Sequence, residues 1–283
     1  GVGSVVKCQP MPGGIKSVLP GAKRRQKRHL QQVFEKLKEV ARHDNSHDAH
    51  GYEVVELPMM QVSYLNQQEL CFFAGVGFDS LMLNDFKEIK KWSQRTGILK
   101  RTLGSVVGYC VALVVKTLPK TVWRGLHNIN VTVTTNVPEE TTWIDHRRGD
   151  VMRRVTPCGN LYQGMTGILA AGTSPFYGGG LRLFPFARMT LDKMHLRLGR
   201  IHPLTGFFNI PKIFEGSYRD TSDKFGCIDF VGSQFTVNVH GDQDEGFPFQ
   251  HSGESVGHAS SFQLQVVKEP VKFISFMQKS WKQ

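Results

Sequence analysis

The residue types best suited to chemistry gather in Cys71–Phe86, CFFAGVGFDSLMLNDF. An apolar run too short to cross a membrane breaks at Gly75 and Gly77, and Asp79, Asn84 and Asp85 then stand among large apolar residues. Glycine serves where the backbone takes a positive φ or comes close to another group. The pattern therefore predicts a buried strand, a tight turn and a helix beginning around Leu81–Lys91. Carboxylates held at such a turn can face a cleft, which makes Asp79 and Asp85 candidate substrate-binding residues. The plainer use of Asp79, or of Ser80, is to cap the helix.

Other candidates lie further along. The glycines after Tyr177 (Gly178, Gly179, Gly180) would expose amide donors to a phosphate, although a strand entry or bulge accounts for them equally. Asp192 and Glu254 are two further carboxylates, each readable as a catalytic or nucleotide contact or as an ordinary turn residue beside Lys193 and Gly253. Two basic clusters stand out, Lys23, Arg24, Arg25, Lys27 and Arg28, and then Arg147, Arg148, Arg153 and Arg154 after His146. Such runs are either solvated faces or contacts for RNA or an anionic membrane, whose affinity falls with salt as counterions are released. His43, His47 and His50 have metal-like separations, but a structural zinc takes four ligands. The polar block containing them ends at Gly51 and reads as a linker, so no metal site is expected.

Composition sets the frame for these residues. The chain has 283 residues, 40% of them hydrophobic, enough for one large or two ordinary folded domains. Its net charge of +11 favours phosphates of RNA, nucleotides or anionic lipid headgroups as partners. The cysteines Cys8, Cys71, Cys110, Cys158 and Cys227 form no CxxC pair, which predicts reduced thiols in an intracellular compartment. Thr102–Val115 is uncharged but shorter than the ~20 apolar residues a spanning helix needs, so it is expected in a core helix. No signal-peptide pattern opens the sequence; it begins at Gly1 without Met, and a removed targeting segment stays open.

The elements that must position the candidates follow from periodicity. Gly1–Gly21 is loop, rich in glycine and proline, and Lys23–Arg42 is a helix with Leu30, Val33, Phe34 and Leu37 on one face. From Tyr52 the character turns to strand through ELCFFAGV. Arg95–Leu118 reads as the main helix, stopped by Pro119. The remainder alternates as half-buried strands, including TVWR, NINVTVTT, NLYQGMTGILAAG, GLRLFP and DKFGCIDFVGSQFTVNVH. A short helix is expected within Pro203–Ile213 and a terminal helix over Pro270–Trp281.

Taken in order, Tyr52–Leu65, FFAGVGFDS, the long helix, NLYQGMTGILAAGTSPFYGGGLRLFPFARMTLDK, FVGSQFTVNV and HSGESVGHASSFQLQVV resemble the C-terminal domain of the diacylglycerol kinase and sphingosine kinase superfamily. The resemblance runs from about Tyr52 to Val267. Gly75, Gly77, Phe78 and Asp79 look like the family's Gly-x-Gly-Phe-Asp turn. Gly178–Gly180, Pro185 and Ala187 resemble its glycine run and Pro-x-Ala, and Asp192 with Lys193 stands at its Asp-Gly pair. Ser252, Gly253 and Glu254 stand at its Asp-Gly-Glu triplet. The nearest match to its phosphate loop, Gly-Gly-Asp-Gly-Thr, is Gly1-Val2-Gly3-Ser4-Val5, with Val2 at the position of the base. The nearest match to its second nucleotide loop is Leu19-Pro20-Gly21-Ala22-Lys23-Arg24.

The resemblance implies an α/β (α+β) protein: a truncated or degenerate nucleotide-binding lobe over 1–51, a larger, mostly antiparallel β-rich domain over 52–269, and a helix over 270–283. It leaves Gly3, Gly21 and Glu254 as the nucleotide contacts and Asp192 and Glu254 as the remaining catalytic candidates. Valine neither binds a metal nor takes a proton, so the expectation is a member without catalysis and without a cofactor, acting as a binding or scaffold subunit. Its expected partners are RNA, an acidic membrane or other protein subunits, in a setting such as a mitochondrial ribonucleoprotein. The other reading is an active lipid kinase, using ATP and Mg²⁺, whose nucleotide loop lies upstream of Gly1.

Overall fold

Period-2 alternation is plainest in MQVSY, INVTVT, QFTVNVH and SFQLQV, and these segments bury every second side chain as β2 (Met60–Tyr64), β5 (Ile129–Thr134), β12 (Gln234–His240) and β15 (Ser261–Val266). The computed structural model describes Gln31, Glu35 and residues 53–96, 108, 111–124, 128–155, 159–177, 181–187, 189–200, 202–219, 226–241 and 247–275. With β3 (Gln67–Cys71) and β8 (Asn160–Thr166) those four strands make a six-stranded sheet in the order β3-β2-β15-β12-β5-β8.

A second sheet has eight strands. From one edge they are β14 (Glu254–Ala259), β13 (Phe247–His251), β4 (Phe73–Gly77), β9 (Ile168–Gly172), β10 (Met194–Gly199), β11 (Cys227–Gly232), β6 (Thr142–Asp145) and β7 (Val151–Arg154). Its central strands β4 and β10 are buried at every position, which is why FAGVG and MHLRLG read as runs rather than alternations. Phe184, Phe235, Phe249, Phe262, Leu196 and Leu264 belong to one continuous core cluster fed by both sheets. Every strand pair among the described residues is antiparallel. The fold is α+β with mostly antiparallel sheets, as expected.

Three long strands expected from the sequence, ELCFFAGV, NLYQGMTGILAAG and DKFGCIDFVGSQFTVNVH, are each two strands, and a fourth such pair meets at Ser260. The chain bends at Phe72, Gly167, Ser233 and Ser260 and passes from one sheet to the other at each. Periodicity cannot show this, because one bent residue leaves the apolar content on either side unchanged.

Helices cover one end. α1 (Phe78–Thr96) packs on β4, β13 and β14. It begins three residues earlier than the sequence suggests, so Asp79 lies inside its first turn and Ser80 donates to Gly75 O (3.1 Å) instead of capping. Pro119 does not stop the second helix. A π-helical turn, Leu113–Thr117, with Leu118 N donating to Leu113 O, leads through Pro119 into α2 (Leu118–Arg124). A proline lacks the N–H for an i→i−4 bond, and the widened turn absorbs that loss. TVWR is therefore helix, not strand.

The expected short helix is a pair, α3 (Pro203–Phe208) and α4 (Ile210–Glu215). Leu181–Phe184 of GLRLFP is irregular rather than a strand. The terminal helix is overturned at its start: Val271–Ser275 is β16, paired with β1 (Glu53–Leu57) in a two-stranded sheet. Its Phe273–Ile274–Phe276 spacing fits a helix face, but the edge of β1 supplies a hydrogen-bonding partner that spacing does not reveal. Of the predicted Lys23–Arg42 helix, Gln31 and Glu35 are described and both are helical.

Candidate functional site

The candidate site forms where β4 ends. Gly77 takes φ +100°, and a Cβ there would lie 2.5 Å from Gly167 O, so only glycine lets the chain turn straight from the sheet into α1. That turn delivers Asp79 to the buried N-terminal end of α1, only 5% exposed. Two neutral donors meet one of its oxygens: Tyr177 OH donates to Oδ2 (3.1 Å), as does Gln250 Nε2 (3.0 Å). Gln250 Nε2 also lies 2.7 Å from Tyr177 OH, and Gly253 N donates to Gln250 Oε1 (3.3 Å). The other oxygen, Oδ1, is buried and accepts no hydrogen bond among the described residues.

Among the described residues no cation offsets this burial. Desolvation pushes the Asp79 carboxyl up to about 6, against the opposing pull of Gln250, Tyr177 and the backbone amides at the start of α1. It is a carboxyl able to change protonation near neutral pH, with one oxygen available to a donor.

Three separate stretches converge there. Tyr177 immediately precedes the glycine run, and its N–H donates to Leu181 O (2.7 Å); Gly178–Gly180 themselves lie outside the described residues. The turn Ser252–Gly253 sits beside Phe73, with Ser252 N donating to Phe73 O (2.9 Å), while the Phe73 and Tyr177 rings meet tilted by 46° with centroids 4.4 Å apart. The exposed Glu254 begins β14 just beyond.

Other candidates fall elsewhere. Asp85, expected from the sequence to bind substrate, is buried as a staple between helices, Oδ1 bound by Lys120 Nζ (2.6 Å) and Oδ2 by Thr117 Oγ1 (2.9 Å). Asp192 is exposed in the turn before β10. Arg147, Arg148, Arg153 and Arg154 do share one hairpin, β6–β7, but Arg153 Nε lies 3.1 Å from Asp145 Oδ2 and Arg148 Nε lies 3.9 Å from the same oxygen. Val2, Gly3, Gly21, Lys23, Arg24, Arg25, Lys27 and Arg28 lie outside the described residues.

A nucleotide with Mg²⁺ would need convergent hard oxygen ligands. Among the described residues no three His, Cys, Asp or Glu groups are placed to hold a metal ion, and Ser252 occupies the turn position for which the resemblance implies an aspartate. The described residues by themselves do not make such a site.

The buried carboxylate of Asp229 was not anticipated. Asp229 on β11 faces Arg197 on β10 in register. Arg197 Nε and Nη2 donate to its two oxygens at 2.8 and 2.7 Å, and all of the group is at 0–3% exposure. Against the cost of burial, Arg197 above all holds the Asp229 carboxyl well below the usual range. His195 Nε2 is 3.0 Å from Asp229 Oδ1 but out of line for a hydrogen bond, and burial lowers its pKa.

His146 bridges two carboxylates, Nε2 to Asp229 Oδ2 at 2.8 Å and Nδ1 to Asp150 Oδ1 at 2.5 Å. Ionised carboxylates only accept, so both ring nitrogens must carry protons. Burial opposes that charge, yet Asp229 and then Asp150 outweigh it and raise the His146 pKa. Arg219 Nε closes the chain on Asp150 (3.1 Å), its guanidinium 4.8 Å above the Phe186 ring. The sequence signal was present: a lone Arg in MHLRLG and a lone Asp in CIDFVG, each surrounded by strand apolar residues, need partners.

No protein-family profile matches the chain, and no curated protein matches it by sequence. The structure is similar to solved structures named as diacylglycerol kinases. One from Bacillus anthracis str. Sterne aligns with 77% of this chain and 52% of its own at 9% identity and a TM-score of 0.39. Two further structures from that strain, whose descriptions also name diacylglycerol kinase, give 12% and 11% identity with TM-scores of 0.41 and 0.42, covering 76% of this chain and 55% of theirs. The chain spans about half the length of these structures. The likeness concerns the course of the chain alone.

Proposed function

We propose that this chain is a lipid-kinase-like ligand-binding domain, without phosphotransfer of its own, in which Asp79 receives a hydroxyl or amine donor of a lipid headgroup. The observation that supports it is the unpartnered, buried Oδ1 of Asp79, beside neutral donors that fix its other oxygen. A buried acceptor left unmet costs ~1–3 kcal/mol, and a ligand donor would recover that. The basic hairpin β6–β7 supplies a scaffold surface for an acidic partner, RNA among them, since Arg147 and Arg154 are exposed there.

The test is a thermal midpoint for the full chain with a short-chain diacylglycerol or sphingoid base and, separately, with Mg²⁺-ATP, because a ligand of the folded state raises stability as RT ln(1 + [L]/Kd). A rise with lipid that disappears in Asp79→Asn, and no rise with Mg²⁺-ATP, is the expected result. A Mg²⁺-dependent rise with ATP followed by lipid phosphorylation would replace this reading with the active kinase. No lipid response at all would end it.

A further inference from the structure

The outer face of the six-stranded sheet is lined by amides and hydroxyls. Alternate residues of its strands feed the core, and those between them face away from it in cross-strand rows. In one such row Gln68, Ser63, Gln263, Thr236, Thr134 and Asn160 stand side by side across all six strands. The neighbouring rows continue with Gln, Asn, Ser and Thr, interrupted by His240 and, on the two outermost strands, by Leu70 and Met165. No Asp, Glu, Lys or Arg stands outward on these strands, although 21% of the chain is charged. A well-solvated surface is ~25–35% charged, so plain exposure to water does not account for this face. No helix among the described residues makes a substantial contact with it.

At one end of the face a groove of about 510 Å³ opens between β3, β2 and β15, lined by Ser63, Asn66, Gln67, Gln68, Ser261 and Gln263. That volume suits a small ligand. Leu65 also lines it, in the two-residue turn with Asn66, where both φ values are positive, 45° and 62°. Asparagine takes that conformation readily, but a leucine is strained in it. Leu65 is moreover 64% exposed, so the core gains nothing from its side chain. Backbone strain of this kind gathers at ligand clamps.

The side chains decide the class of ligand. RNA or another polyanion would need cations to displace its counterions. A protein partner would need the aromatic or arginine anchors that this face lacks. Amides and hydroxyls each donate and accept hydrogen bonds, which matches a molecule whose own groups are uncharged hydroxyls repeated at short intervals. Strands ~4.8 Å apart repeat the pattern at about the length of one sugar ring. Ser261 Oγ donates to Asn238 Oδ1 (2.8 Å), which fixes one amide within the face. Leu65 offers an apolar contact to the C–H side of a ring.

We infer that the outer face of the six-stranded sheet binds an uncharged oligosaccharide, seated in the groove beside Leu65 and continuing across the strands. Asp79 and α1 belong to the eight-stranded sheet, so this site goes beyond the ligand reading and stands without it.

The test is isothermal titration of the full chain with neutral hexasaccharides of α-linked glucose, β-linked glucose, xylose, mannose and N-acetylglucosamine, at about 50 and about 500 mM salt. The expected result is binding of at least one of them, unchanged by salt because no charge takes part. Gln68→Ala with Gln263→Ala removes two hydrogen-bonding groups and should weaken it ~10-fold or more. Both side chains are exposed, so the variant's thermal midpoint should match the parent's. Asp79→Asn should bind the sugar like the parent, which separates failure here from failure of the ligand site. No binding of any of the hexasaccharides would overturn the inference, as would binding that falls with salt or survives the double variant, or a concentration-dependent dimer that the double variant abolishes.

Discussion

Asp79, in the first turn of the helix that follows β4, and Asp229, on β11 of the same sheet as β4, are both lost to water, 5% and 0% exposed, yet one carboxyl is pushed up to about 6 and the other held far below the usual range. Burial is the leading influence on each. What separates them is the charge of the neighbours: Tyr177 and Gln250 offer neutral dipoles, whereas Arg197 offers a bidentate cation with His146 behind it. The lesson is that a buried carboxylate matched by a cation is spent on structure, and one matched only by dipoles keeps its reactivity.

The comparison breaks most visibly at Asp229. Asp229→Asn leaves Arg197 buried without its counter-charge, and urea unfolding should show a loss of ~3–5 kcal/mol. The same replacement at Asp79 should go the other way. Because the folded pKa of Asp79 is raised, the folded state holds a proton the unfolded chain has lost, and its stability falls as pH rises from about 4 to about 6. Asp79→Asn removes that penalty, so it should gain ~1–3 kcal/mol at pH 7–8 and nothing near pH 4. An unchanged pH profile would mean that Asp79 is not desolvated in solution.

Two smaller effects sharpen the contrast. His146 has a raised pKa, so its contribution is complete below about pH 6.5 and is lost as pH rises through the folded value. His146→Gln should lower stability by ~1 kcal/mol on the acid side and flatten the decline above neutrality, read by chemical unfolding across pH. Tyr177→Phe removes one of two donors to Asp79 Oδ2 and should raise the Asp79 pKa further, at a cost of ~1 kcal/mol above pH 6, with carboxyl titration by NMR as the readout.

Much of this was legible beforehand. The antiparallel β-rich body, the Gly75–Gly77 turn and the placing of Asp79 at a helix start follow from alternation and from glycine, both local signals. Gln250 was hidden because it reaches Asp79 across 171 positions of chain, and a lone glutamine in a strand carries no local mark. The partners of Asp85 were hidden too: Thr117 and Lys120 lie 32 and 35 positions further along the chain, and Lys120 stands beyond Pro119, where the sequence ends the helix. The terminal helix failed for a related reason: the edge of β1 recruits Val271–Ser275 from the far end of the chain.

The four bends at Phe72, Gly167, Ser233 and Ser260 have a consequence for how the protein comes to be made. Each ties a strand of one sheet to a strand of the other, so neither sheet can assemble as an autonomous half. Ser63 finds Gln263 only after two hundred intervening residues have been synthesised. Loop closure on that scale precedes any reward from the ladder, which places folding in the slow, millisecond-to-second class of non-local β proteins. During translation the early strands β2 and β3 must therefore wait with an open edge for β15, and that interval, rather than the finished fold, is when this protein is most exposed to aggregation.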